Sequence, residues 1–278
     1  MNQSIELGQV NNLKINRVSE PGIYLISKDE EEVLLPNAYI TQSMQIGDLL
    51  DVFIYTDSED RLVATTLKPY GYLNEYVCLE IVDIAKFGAF ADIGLPKDLL
   101  IPKNRQKSTF NVGDRKVVQI INDEKTNRLI GTEKFQLEKV ETPLKKNDEV
   151  EILVYSKTPL GFKVITNNSY EGMIYHNEIF ATVKVGDRKK AYVKNVRDDF
   201  KLDIILEKIG AKQGDEYSNR VVALLESNDG ELPFTYKSDS EDIKETFSMS
   251  KKAFKATLTK LIDNKTIILN ETSIKLNK

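Results

Sequence analysis

QIGDLLDVFIY at residues 45–55, NVGDRKVVQII at 111–121 and KVGDRKKAYVK at 184–194 share one pattern. An aliphatic residue precedes a Gly-Asp pair, and a strand-rich run follows it. The glycines, Gly47, Gly113 and Gly186, are separated by 66 and 73 residues, and other landmarks keep those offsets. Upstream lie Gly22, Gly88 and Gly161, then Leu35-Pro36, Ile101-Pro102 and Ile174-Tyr175. Downstream lie Arg61-Leu62, Arg128-Leu129 and Lys201-Leu202, at 67 and 73 residues. Four landmarks in register mark an internal repeat, which must be recognised before any fold is assigned.

Each copy reads as short β elements. In the second, YVCLEIVDIAKFGAFADIG is strand-rich with Gly88 at a bend, DLLIP is a brief strand, and RKVVQIIND and NRLIGTEK are two more. About five short strands in roughly 65–70 residues fit an OB-type barrel, and a glycine inside a strand suits a barrel corner. Residues 117–122 do not alternate cleanly between apolar and polar, which a closed barrel strand tolerates.

From about residue 211 the period changes. Val221, Val222, Leu224 and Leu225 mark a helix ending near Asn228-Asp229-Gly230. A short helix follows over SEDIKETF with Ser240 as its expected cap. A third, capped by Ser250, places Phe254, Leu258, Leu261 and Ile262 on one face. TIILN and SIKL then form a hairpin. The expected fold is mainly β with a small α+β tail: three tandem OB-type β-barrels followed by a winged-helix domain. The expected boundaries are 1–67, 68–141, 142–209 and 212–278.

Composition narrows the function. The 278 residues are 41% hydrophobic and 29% charged, and no apolar run approaches the roughly 18 residues of a membrane span. The N-terminus lacks the basic and apolar regions of a signal peptide, and one cysteine, Cys78, fits a reducing compartment, so a cytoplasmic location is expected. With one histidine, His176, there is no usual zinc cluster and no evident nucleophile pair, so neither catalysis nor a cofactor is expected. The net charge of −4 is uneven. Residues 1–69 hold 5 Lys and Arg against 11 Asp and Glu, 70–144 balance at 11 each, 145–208 hold 12 against 10, and 211–278 balance at 11 each. A polyanion is therefore expected on the later repeats, and the acidic first barrel suits protein partners.

The motifs KFGAFADIG, DLLIP, VGD and IINDEKTNRLIGTEK resemble the ribosomal-protein-S-one type of RNA-binding OB domain, whose pattern is F-G-x-F, G-L-V-H, V-G-D and D-x-x-x-R-I-x-L-S. The second repeat matches well, the third less so. The first carries Pro21-Gly22-Ile23-Tyr24 at the aromatic motif. Three such repeats and a helical tail are together similar to the conserved virulence factor B family of bacterial RNA-binding regulators. The family's histidine falls on Pro36, Pro102 and Tyr175, so the first two barrels lose a stacking or hydrogen-bonding group there.

The resemblance implies a non-enzymatic regulator of gene expression that binds single-stranded RNA by aromatic stacking and phosphate contacts. In the second repeat the candidates are Phe87, Phe90 and Arg128, with Lys103, Arg105 and Lys107 extending the basic track. In the third they are Phe162, Tyr175, Arg197 and Lys201, backed by Lys163 and His176. Tyr24 and Arg61 correspond in the first, and Lys251, Lys252, Lys255 and Lys260 lie on the third helix of the tail. An aromatic such as Phe162 is equally readable as core, and loop lysines as solvated. Two other functions stay open: a protein-interaction adaptor, and a DNA-binding regulator acting through the winged helix, with DNA ranked below RNA.

Overall fold

A computed structural model of the chain describes residues 1–140, 144–179, 182–206 and 211–277. The expected boundaries at 141, 142 and 209 lie outside the described residues, as does the last residue, Lys278. The chain divides into two compact units, Met1–Leu206 and Glu207–Lys278.

The first unit holds three closed five-stranded barrels. The first comprises β1 (Val10–Ser19), β2 (Gly22–Ile26), β3 (Glu32–Pro36), β4 (Leu49–Thr56) and β5 (Leu62–Thr65), in the spatial order β1-β2-β3-β5-β4. The second repeats that order with β6 (Tyr76–Ala85), β7 (Gly88–Ala91), β8 (Leu99–Pro102), β9 (Arg115–Asp123) and β10 (Arg128–Thr132). The third repeats it with β11 (Glu149–Thr158), β12 (Gly161–Thr166), β13 (Tyr170–Tyr175), β14 (Arg188–Val196) and β15 (Leu202–Ile205). In each, the third and fifth strands pair in parallel and the other pairs are antiparallel, the OB topology.

The repeated residues explain why the copies close alike. Gly47, Gly113 and Gly186 hold φ of +98°, +87° and +95°, the left-handed region that glycine tolerates best. The aspartate after each accepts the backbone N–H three residues back: Asp48 from Gln45 at 2.8 Å, Asp114 from Asn111 at 3.0 Å and Asp187 from Lys184 at 3.0 Å. That bond to Asn111 holds the Asp114 carboxyl below its ordinary range. The upstream glycines pair across the second and third strands as Gly22 with Pro36, Gly88 with Pro102 and Gly161 with Tyr175. Each first strand also carries one register irregularity, skipping Asn16, Val82 and Tyr155 at equivalent repeat positions. Gly88 closes the tight turn between β6 and β7, paired with Ala85, and the irregularity at Val82 bends β6 itself.

Inward residues fill separate cores, among them Leu13, Ile15 and Ile54; Leu79, Ile81 and Ile120; and Ile152, Val164 and Ile204. The broken alternation in β9 has a physical cause. Val118 and Ile120 point into their own barrel, whereas Val117 packs outward with Tyr76, Leu153 and Ile165 against the third barrel. Phe53, Tyr55 and Val63 likewise cover the outer face of the first barrel against Tyr72, Leu95 and Leu129. At the second junction the Tyr76 N–H donates to Asn168 Oδ1 at 3.0 Å, and Arg188 Nη2 donates to the Tyr76 carbonyl. A Cβ on Gly186 would lie 2.6 Å from Cys78 Sγ, whereas Gly47 and Gly113 stand in open space.

The second unit contains α1 (Ala211–Glu226), β16 (Glu231–Leu232), α2 (Ser240–Phe247), α3 (Lys251–Asp263), β17 (Ile267–Leu269) and β18 (Ile274–Leu276), its sheet ordered β16-β18-β17. Phe247 and Phe254 meet at 4.8 Å in its core, beside Leu258 and Leu261. Ser250 caps α3 as expected, accepting from the Ala253 N–H at 3.2 Å. For α2 the cap is Asp239, not Ser240. Asp239 is extended and accepts from the Glu241 N–H at 2.8 Å, while Ser240 is already helical. The short strand β16 adds a third strand beside the expected hairpin.

Candidate nucleic-acid interface

Side-chain parity along the second strand of each barrel decides which aromatic faces outward. In β7, Ala89 and Ala91 enter the core, so Phe90 turns out, opposite Leu100 of β8. Phe87 closes the preceding turn, 61% exposed, and meets Phe90 edge-to-face at 5.9 Å. These rings and Arg128 border a cavity of about 340 Å³, lined also by Leu100 and Leu129 and by Tyr55 and Thr56 of the first barrel. That volume lies near the lower end for small-molecule sites, a size suited to one planar base. The expected residues Phe87, Phe90 and Arg128 are therefore brought together, and the neighbouring barrel supplies one wall.

The cations of this cavity face carboxylates from that neighbour. Arg128 Nη2 pairs with Asp60 Oδ2, while Arg128 Nε is sequestered without a hydrogen-bond partner. Lys97 Nζ donates to the Asp57 carbonyl at 2.5 Å and lies 3.3 Å from Asp60 Oδ1. Sequence reasoning missed Tyr55, Lys97 and Asp60. The uninterrupted apolar run at 52–55 is the signal that both faces of β4 are covered.

Register shows why the other barrels differ. Phe162 pairs with Ile174 as Ala89 pairs with Ile101, so the phenylalanine expected as a platform points into the core, 7% exposed, edge-on to His176 at 5.6 Å. The positions of Phe87 and Phe90 are held instead by Leu160, which is exposed, and Lys163. Lys163 and Lys201 both bridge Glu171, at 3.1 and 2.9 Å; burial pushes that carboxyl up, but the two lysines bring it below its ordinary range. Arg197 pairs with Asp199 at 3.0 Å, and the half-buried Tyr175 reaches Asp203 at 3.3 Å through its hydroxyl. His176 Nε2 lies 3.1 Å from the Thr158 carbonyl. An exposed aromatic that sequence reasoning missed, Phe200, has Lys139 5.8 Å from its ring centre.

In the first barrel Tyr24 has the parity of Phe90, but the Arg17 guanidinium covers its ring at 3.7 Å and pairs with Glu32. Arg61 is engaged by Asp57 and Glu59 at 2.7 and 2.9 Å. Lys103 and Arg105 are exposed without an ion pair among the described residues, and the Lys103 N–H donates to the Phe87 carbonyl at 2.8 Å. Lys107 lies 5.3 Å from the centre of the Phe135 ring. On α3, Lys252 and Lys255 are exposed opposite the buried Phe254 and Leu258, and Lys251 is half-buried.

Closed barrels of this topology with a winged helix define a class of nucleic-acid-binding protein. A profile of the S1 domain matches residues 7–67, and one of the CvfB-like winged helix domain matches residues 219–276. The chain is 30% identical over 272 residues to the uncharacterized protein YitL of Bacillus subtilis, covering 94% of this chain and 90% of that one. It is 28% identical over 260 residues to conserved virulence factor B of Staphylococcus saprophyticus, covering 89% and 87%. A solved multidomain protein with nucleic acid binding domains from Streptococcus pneumoniae is 24% identical, with 97% and 98% covered and a TM-score of 0.43. The chain belongs to the conserved virulence factor B family. No helix among the described residues is long and apolar enough to cross a membrane.

Proposed function

We propose that this chain binds single-stranded RNA and regulates gene expression after transcription, without a bond-making step of its own. The outward Phe87–Phe90 pair beside Arg128 carries the reading. An exposed aromatic that is spare to the core is suited to stack a base, and an adjacent guanidinium to hold a phosphate or base edge. The third barrel and the lysines of α3 add weaker contacts, since the third barrel offers Leu160 and Lys163 where the second offers two rings. The acidic loop of the first barrel faces the second barrel, which suits an internal role there.

The test is fluorescence anisotropy of labelled single-stranded RNA over a salt series, with Phe87→Ala and Phe87→Ala/Phe90→Ala variants whose folding is checked by circular dichroism. A stacked base contributes about 1–3 kcal/mol, so Phe87→Ala should weaken binding by between roughly 5-fold and roughly 150-fold. Binding that is equally tight in both variants would remove the second barrel as the reader. Stronger binding of duplex DNA, lost on Lys252→Ala/Lys255→Ala, would favour the winged helix instead.

A further inference from the structure

Two further hollows lie along the second barrel, the first beside Gly88, which follows Phe87, and Lys103, whose N–H donates to the Phe87 carbonyl. One, of about 450 Å³, is bordered by Gly88, Lys103 and Lys107. The next, of about 480 Å³, lies where the second barrel meets the third and is bordered by Lys107, Arg115, Lys116 and Lys157. They share Lys107 and Ser108, so they are successive parts of one groove. Lys103, Lys107, Arg115 and Lys157 are all exposed and make no ion pair among the described residues. Lys116 is 3.3 Å from Asp114. The lining carboxylate, Glu133, is already occupied, accepting from the Lys107 and Ser108 N–H groups at 2.6 and 3.0 Å.

This arrangement contrasts with the predicted faces, where Arg61, Arg128, Arg197 and Lys201 each sit against a carboxylate. The second hollow holds four cations, Lys107, Arg115, Lys116 and Lys157, against one lining carboxylate, Glu133, and that excess of positive charge attracts a polyanion, whose binding is favoured further by release of its condensed counterions. The floor is aromatic: Phe135 and Tyr155 meet edge-to-face at 5.7 Å, and Tyr155 is the residue skipped at the β11 bulge. Beyond it, Lys157 pairs across the sheet with Phe162, at the turn that leads onto the second strand of the third barrel.

We propose that the groove is a phosphate-backbone site, along which a single RNA strand stacked on Phe87 continues across the junction onto the third barrel. The inference rests on the RNA reading above and adds its path. One OB barrel occupies about 4–16 nucleotides, so a strand of about 6 can be held by the second barrel alone and one of about 20 must use the groove.

The experiment compares wild type, Arg115→Glu/Lys157→Glu and the corresponding double alanine variant on both lengths, with thermal melts to verify folding. On the long strand both variants should lose at least tenfold in affinity. The slope of log affinity against log salt should fall by about 1.4, from about 0.7 per lost phosphate contact. On the short strand the alanine variant should change by less than about threefold, whereas Phe87→Ala weakens both. Wild-type affinity and slope on the long strand would overturn the path while leaving the Phe87 reading intact, and so would an equal loss on both lengths. A wild-type chain that binds neither strand would remove both proposals.

Discussion

Asp60 pairs with Lys97 and with Arg128, the cation to which the proposed RNA reading assigns a phosphate. The Arg128 pair is 43% and 35% exposed, and pairs so exposed contribute about 0–1 kcal/mol, little enough for an arriving phosphate to displace. Asp60→Asn is therefore expected to raise RNA affinity about two- to fivefold in anisotropy titrations at fixed salt, in line with that range. A loss of affinity would mean that Asp60 instead aims the guanidinium. The motif F-G-x-F was enough to single out Phe87 and Phe90, and the repeat position to single out Arg128, which the fold brings beside them. Asp60, Lys97 and Tyr55 were not legible with them, because they reach the cavity through contact between repeats, and Lys97 and Tyr55 are themselves ordinary in sequence. Phe162 shows a different limit: a shift of one residue within the motif reverses the face on which a ring lies.

At the level of elements, the close approach of the second and third strands fixes where glycine is required. A Cβ on Gly161 would stand 2.0 Å from the Ile174 carbonyl oxygen, and that atom belongs to a paired strand that cannot retreat. Gly161→Ala is expected to cost about 1–3 kcal/mol, read as a lower denaturant midpoint for the barrel unit. An unchanged midpoint would mean that β12 and β13 can part there without penalty. The V-G-D turns were legible because glycine and aspartate each perform a task no other pair does as well. A related turn entering β11 was not, since it is written Lys145-Lys146-Asn147-Asp148, with Asn147 at φ +71° and Asp148 accepting from the Lys145 N–H at 2.7 Å. Asparagine tolerates the left-handed region too, so the device survives with a weaker signature. The cap of α2 went to Asp239 for a comparable reason: adjacent Asp and Ser are both good caps, and local backbone geometry chose between them.

Across the three barrels, the outward apolar residues are what join the copies into one unit. Leu153 is 2% exposed and packs in the cluster that joins the second and third barrels. Leu153→Asp would bury an unpaired charge there, at a cost of several kcal/mol. The expected result in calorimetry of the full chain is a lower first transition and a separation of barrel melting; a single unshifted transition would show that the junction contributes nothing to cooperativity. The number and kind of domains could be read in the repeats, but their packing could not, because each junction uses residues that look like spare strand hydrophobes. The traces were the failed alternation at Val117 and Val118 and the uninterrupted apolar run at 52–55. The contact of Gly186 with Cys78 carries this further. Copies descended from one ancestral segment would be expected to remain interchangeable parts, free to be shuffled, multiplied or lost. Here the third copy's turn fits a thiol that only the second copy presents, while a side chain at Gly47 or Gly113 would meet no neighbour. Each repeat has acquired an address, and a gene rearrangement that preserved every barrel but changed their sequence would leave the copies without the neighbours to which they are fitted.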